Sequence, residues 1–267
     1  MRFAFGENWK SFLSTLCPER IASAEGSLKV MLGCDTLKER TFLDLGCGSG
    51  LFSLAATRLS AKRVVSLDID PESVACARAL RDQAVLGPEW IVESASALDT
   101  ELPGKYGTFD IVYAWGVLHH TGHLWDAARV AGDMVTAGGL LYISVYNLQP
   151  RWSPLWIRIK EAYVNGGVIT RGVLLGSIAG MFVVRGASAD LLALKNPFLR
   201  YRRTARDRGM SFLHDWRDWV GGYPFEPAAP EEVVTFYVER GFLLRRIRTV
   251  GGGRGCNEFL FVKAGNG

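Results

Sequence analysis

Apolar positions in the first half of the chain follow two alternating rhythms. Short apolar runs at Thr41–Leu45, Arg63–Leu67, Trp90–Glu93, Phe109–Ala114 and Gly139–Val145 read as buried strands. Between several of them, near Leu51–Leu59, Pro71–Asp82 and Leu124–Met134, the period changes to that of a helix. Strand and helix in alternation predict a doubly wound parallel sheet. Ahead of it, Phe5, Trp9, Phe12, Leu13 and Leu16 recur at helical spacing and predict an amphipathic N-terminal helix. After Tyr146 the alternation stops. The stretch to about Ala229 shows helical patches broken by Pro150, Pro154, Gly166, Gly167, Pro197 and Pro224, and reads as an insertion. Pro230, Glu231 and Glu232 then open a helix ending at Gly241, and strands Phe242–Val250 and Glu258–Lys263 flank the turn Gly251–Gly255. The expected architecture is one α/β domain with seven strands and a terminal antiparallel hairpin. Its parts are a helical cover (1–40), a core (41–145), a helical insertion or lid (146–229) and a terminal helix and hairpin (230–267).

Composition narrows the class without naming it. A chain of 267 residues, 48% hydrophobic and 22% charged, folds around a substantial core. The net charge of +4 is too small to imply nucleic acid or membrane, but it is unevenly spread. Between Arg151 and Gly209 eleven Lys and Arg residues face only Glu161, Asp190 and Asp207. Such a segment suits an anionic, lipid-linked or phosphate-bearing ligand. Nucleic acid is disfavoured, because Arg200–Arg208 carries no aromatic interleave beyond Tyr201. The most apolar window, Gly172–Val184, lies between Arg171 and Arg185 and is shorter than the ~20 residues a bilayer span needs. No transmembrane segment is expected. Cys17, Cys34, Cys47, Cys76 and Cys256 contain no CxxC pair, and Met1–Lys10 has no signal-peptide pattern; both point to reduced thiols and a cytoplasmic location.

The first strand runs directly into Gly46-Cys47-Gly48-Ser49-Gly50 and then a helix, which lets the backbone approach a ligand at a helix N-terminus. The second strand ends in Asp68, about twenty residues on, where a carboxylate can accept both hydroxyls of a ribose. The spacing is GxGxG rather than GxGxxG and no second nucleotide-binding half follows, so a dinucleotide oxidoreductase is disfavoured. With Asp68-Ile69-Asp70, Phe109-Asp110-Ile111-Val112 and Val117-Leu118-His119-His120, the phrase Leu43–Gly50 resembles class I S-adenosylmethionine-dependent methyltransferases. Within that class it is most similar to the ubiquinone and menaquinone biosynthesis type and to an uncharacterised bacterial group.

The resemblance implies a Rossmann-like sheet and S-adenosyl-L-methionine as cofactor. It implies that Asp44, Gly46, Cys47, Gly48 and Gly50 hold the amino-acid end, Asp68 the ribose, and Ile69 one face of adenine. Ser96 and Ala97 stand beside the adenine; Ser96 departs from the family's usual Asp, although a hydroxyl can still hydrogen-bond the adenine amine. Trp115, after the fourth strand, matches a position beside the methionine part, and Trp9 or Phe5 is expected to close over the cofactor. His119, His120 and His123 follow the fourth strand at the edge where acceptors meet cofactor, and His119 or His120 is the candidate base. With Asp126 these histidines match no standard zinc spacing, so no metal is expected. His214–Glu226, rich in aromatic and acidic groups, is a candidate pocket wall. The expected function is methyl transfer to a small-molecule acceptor, on oxygen. The alternatives are a tRNA or protein methyltransferase, and a cofactor-binding protein without catalysis.

Overall fold

The computed structural model describes residues 16–84, 89–193, 220–253 and 255–265. Two compact units are distinguished. The larger comprises residues 4–153 and 225–267, and the smaller is built on 154–224.

In the larger unit, helix α1 (Pro18–Leu32) precedes β1 (Thr41–Leu45), α2 (Leu51–Arg58), β2 (Arg63–Asp68), α3 (Pro71–Gln83) and β3 (Glu89–Ser94). There follow α4 (Leu102–Tyr106), β4 (Phe109–Ala114), a 3-10 turn (Leu118–His120), α5 (Leu124–Asp133) and β5 (Val135–Tyr146). Helices α6 (Ser153–Asn165) and α7 (Val168–Leu192) come next in the chain; α8 (Pro230–Val238), β6 (Phe242–Arg248) and β7 (Cys256–Lys263) complete it. The seven strands form one sheet in the order β3-β2-β1-β4-β5-β7-β6. The first five run parallel, and β7 is antiparallel to both β5 and β6. This is the doubly wound sheet with a terminal hairpin that the hydrophobic pattern predicts.

Period-two alternation sends the strands' side chains to two cores. Phe42, Val64, Ile111, Tyr113 and Tyr142 pack with α1, α2 and α3 on one face. On the other, Leu43, Val65, Val112, Ile143 and Val145 pack with α5 and α8. Tyr237 of α8 is fully buried there, and its hydroxyl donates to the Ala128 carbonyl at 2.9 Å. Helix α1 was not marked by the sequence pattern. Pro18 in its first turn starts it, left-handed Gly33 ends it, and Ile21, Ala24, Leu28 and Leu32 form its buried stripe. The expected helix on Phe5–Leu16 falls almost wholly on residues 1–15, outside the described residues.

Two boundaries differ from expectation. Strand β5 begins at Val135, through Gly138 and Gly139, because Val135 pairs with Phe109 before the register shift in β4. In the smaller unit, the apolar window lies inside α7, which falls between the breaks expected at Gly166–Gly167 and Pro197. It is a single helix of 25 residues that passes through both Arg171 and Arg185. Isolated glycines lower helix propensity without ending a helix, so the arginines do not bound the element. By length and composition α7 is the one helix among the described residues that could cross a membrane. The expectation that the apolar window is too short to do so is therefore corrected.

A chain of buried polar groups links three strands of the sheet and one helix. The Trp90 indole N–H donates to Ser66 Oγ (2.7 Å), Ser66 to Ser53 Oγ (2.6 Å), and Ser53 to Asp44 Oδ2 (2.6 Å). It joins β3, β2, α2 and β1, and every donor points toward the Asp44 carboxylate. Burial pushes the Asp44 carboxyl up to about 7, against the opposing pull of the Ser53 hydrogen bond. Ser66→Ala should leave the Trp90 N–H buried without its acceptor and lower stability by about 1–3 kcal/mol in chemical denaturation. Because the folded-state pKa is raised, folded protein holds a proton on Asp44 between the ordinary value of 3.8 and about 7 that unfolded chain has lost. The associated stability is complete below that window and lost as pH rises through it. Asp44→Asn cannot ionise, so its melting temperature relative to wild type, measured without ligand, should rise between pH 5 and pH 8; a pH-independent difference would refute the assignment.

Candidate active site

The turn after β1 is held from beneath by β2. The Gly46 and Cys47 N–H groups donate to the Leu67 carbonyl at 2.6 and 3.1 Å. Gly46 has φ +77, and a Cβ there would lie 2.2 Å from Val117 Cγ2; Gly50, at φ +79, caps α2 with its Cβ position 3.0 Å from Ala77 Cβ. At both positions conformation and space require glycine. Cys47 is buried, and burial holds its thiol well above the usual range, so it stays uncharged.

Asp68, at the end of β2, completes the turn. Its Oδ2 accepts from the Gly48 N–H at 2.9 Å and its Oδ1 from the Asp70 N–H at 2.9 Å. A carboxylate is acceptor-only, with about four lone-pair sites over its two oxygens, the chemistry that receiving a pair of hydroxyls calls for. Ile69, next in the chain, is an apolar side chain left 43% exposed. The Ala95 N–H donates to the Asp68 carbonyl at 3.0 Å and so ties the segment after β3 to the end of β2. In that segment Ser96 Oγ accepts from the Leu98 N–H at 3.2 Å, and Ala97 is buried. The structure thus brings Gly46–Gly50, Asp68, Ile69, Ser96 and Ala97 to the carboxyl ends of β1, β2 and β3. Asp44 is placed differently, buried in β1 with Ser53 on its carboxylate.

At the end of β4, Trp115 is 45% exposed and its indole N–H reaches Glu258 Oε1 at 3.3 Å. The Gly116 N–H donates to Ser144 Oγ at 2.8 Å. His119 and His120 are buried in a ring cluster. Their centroids lie 4.4 Å apart, His119 sits edge-on to Tyr146 at 4.4 Å, and Tyr146 packs on Phe225 at 4.9 Å. The His119 carbonyl accepts from the Glu226 N–H at 3.0 Å, which fixes the turn to the segment before α8. His123 stands apart on the surface, 3.8 Å from Asp126. Among the described residues no group of three or more His, Cys, Asp or Glu side chains is arranged to hold a metal.

Sequence reasoning gave no role to Ser53, Ser66, Trp90 and Ser144. The available signal was a polar residue inside an apolar strand, as in Arg63–Asp68, where Ser66 is fully buried. Glu258 is legible only as the start of the last expected strand; its contact with Trp115 joins residues far apart in the chain. Trp9, Phe5, Arg200–Arg208 and His214–Trp219 lie outside the described residues.

Residues 43–143 match the methyltransferase domain family. A ubiquinone biosynthesis O-methyltransferase of Xanthomonas campestris is 34% identical over 108 residues, covering 40% of this chain and 44% of that protein. A ribosomal protein L11 methyltransferase of Geobacter metallireducens is 34% identical over 136 residues, covering 50% of this chain and 38% of that protein. The chain therefore spans less than half the length of these curated relatives. Among solved structures, magnesium protoporphyrin IX methyltransferase of Synechocystis with bound S-adenosylhomocysteine superposes with a TM-score of 0.54. It is 13% identical, with 91% of this chain and 83% of that chain covered, and shows the shared fold. Over residues 43–143 the chain thus matches the methyltransferase domain family, and its sheet has the fold of a methyltransferase solved with S-adenosylhomocysteine bound.

Proposed function

We propose that the protein transfers the methyl group of S-adenosylmethionine to an oxygen of a small-molecule acceptor. The observation that carries the cofactor half is the glycine turn clamped by Asp68. Its backbone leaves no room for a Cβ at Gly46, and it ends where both Asp68 oxygens can receive ribose hydroxyls. When bound, the cofactor supplies a methyl group made electrophilic by its sulfonium. Gly46, Cys47, Gly48 and Gly50 would hold its amino-acid end, with Asp44 acting through the turn above it. Ile69, Ser96 and Ala97 would flank the adenine, and the face of Trp115 would border the sulfonium.

Transfer to a hydroxyl requires removal of its proton, and rate follows from holding the nucleophile in line. His120 is the more exposed of the two buried imidazoles, at 7% against 1% for His119, and we assign it the proton-accepting role. His119, enclosed between His120 and Tyr146, positions it. The basic insertion, 146–229, favours an anionic or lipid-linked acceptor. Oxygen as the methylated atom is supported by the relatives named ubiquinone biosynthesis O-methyltransferase. The relatives named ribosomal protein L11 methyltransferase favour a second reading, a protein acceptor. A cytoplasmic location fits either.

Asp68→Ala should weaken S-adenosylhomocysteine binding in calorimetry by about 1.5–3 kcal/mol, the value of hydrogen bonds to a charged group. Unchanged affinity in a folded variant removes the ribose assignment. Transfer of labelled methyl from the cofactor into fractionated cell extract should place the label in the small-molecule fraction; label confined to protein would establish the second reading. On the acceptor so found, His120→Ala should lower kcat about 10²–10⁴-fold with KM little changed.

A further inference from the structure

Within the smaller unit, an 18-residue stretch of Val168–Ser188 in α7 has a mean hydropathy of 1.6, and only 6% of that stretch is buried. At about 100° per residue, Ile169, Val173, Gly176, Gly180 and Val184 fall on one side of the helix. Ile169, Val173 and Val184 are 84%, 61% and 65% exposed, and a Cβ on Gly176 or Gly180 would meet nothing within 4 Å. Arg171 and Arg185 project from the opposite side, together with buried Ile178. Arg171 is committed to the end of α6, donating to the Tyr163 and Val164 carbonyls at 3.1 and 2.9 Å. The outward face therefore carries no charge between Ile169 and Val184.

Charge identifies what covers it. Residues 154–224 contain eleven Lys and Arg against five Asp and Glu, a net of +6 in a chain whose total is +4, so the rest of the molecule carries −2. A second copy on this face would bring two such units together against their mutual repulsion. Nucleic acid would match the charge but leave the apolar face in water. An anionic bilayer satisfies both, with acyl chains against the valines and headgroups near the basic residues. We propose that α7 is an interfacial anchor that lies in the plane of an anionic lipid bilayer, with Ile169, Val173 and Val184 immersed.

Chain connectivity selects the in-plane orientation over a span. Both ends of the insert lead into the same compact unit, so a crossing by α7 would require a second crossing within residues 193–224. There Lys195, Arg200, Arg202, Arg203, Arg206 and Arg208 leave no uncharged run near the ~20 residues required. The proposal holds whatever the methyl acceptor is.

The full chain should co-sediment with phosphatidylcholine vesicles containing phosphatidylglycerol, less so at high salt, and poorly with phosphatidylcholine alone. V173D/V184D should reduce partitioning about tenfold or more while leaving far-UV circular dichroism and cofactor affinity unchanged. Should that pair fail to fold, V173S/V184S gives the same reading with a smaller loss. Absence of binding to anionic vesicles, or binding equal in wild type and a folded variant, overturns the proposal. Retention on the vesicles after alkaline carbonate would show a span and overturn the in-plane orientation. A dimer in the absence of lipid that V173D/V184D breaks would assign the face to a second copy instead.

Discussion

The hydrogen bond from the Gly48 N–H to the Asp68 carboxylate closes the carboxyl ends of β1 and β2 onto each other. It depends on register. Asp44 faces Ser66 and Leu45 faces Leu67, so the turn leaves β1 level with the end of β2 and can bond its Leu67 carbonyl. A slip of one residue would send Phe42 and Leu43 to the wrong cores and carry Asp68 away from the turn. The interior supports the same arrangement, since the line from Trp90 to Asp44 runs through Ser66 and Ser53 and binds three strands to α2. The glycine turn at the edge and the polar bonding in the core therefore rest on a single alignment of parallel strands.

The carboxyl ends of β4 and β5 are organised by a different principle. Where the first three strands end in backbone groups and a carboxylate, β4 and β5 end in rings: Trp115, His119, His120 and Tyr146, with Phe225 packed beside them. Rings give a firm wall at little entropic cost, and an imidazole within such a wall is held in one orientation. Glu258, reaching Trp115 from β7, links this wall to the terminal hairpin.

Much of the larger unit was legible in sequence because its signals are local. Strand runs, the glycine turn and Asp68 each announce themselves within a few residues, and the parallel order follows from alternation with helices. Other features were hidden for physical reasons. Helix α1 buries only a narrow stripe of Ile21, Ala24, Leu28 and Leu32, between polar faces that obscure its period. The polar line through Ser66 is invisible because its members lie on separate elements, and a lone serine in a strand has no partner until the sheet forms. The length of α7 is hidden because Arg171 and Arg185 interrupt the apolar run, whereas a helix tolerates charges that project to one side. The histidines were found, but their depth was not, since burial of His119 depends on Tyr146 from another strand.

Strand order also governs the timing of synthesis. Strand β7 is the last to leave the ribosome, yet it sits between β5 and β6, with Leu140 paired to Val262. Until it emerges, β5 offers an unpaired edge beside Ile143 and Val145, both buried in the finished protein. The whole apolar helix α7 is translated during that interval. The nascent chain thus presents a bare strand and an oily helix together, the combination most prone to wrong association, and the pairing that ends the exposure has high contact order and is slow to form. The length of the insertion, rather than the stability of the finished sheet, thus sets how long that edge stays bare during translation.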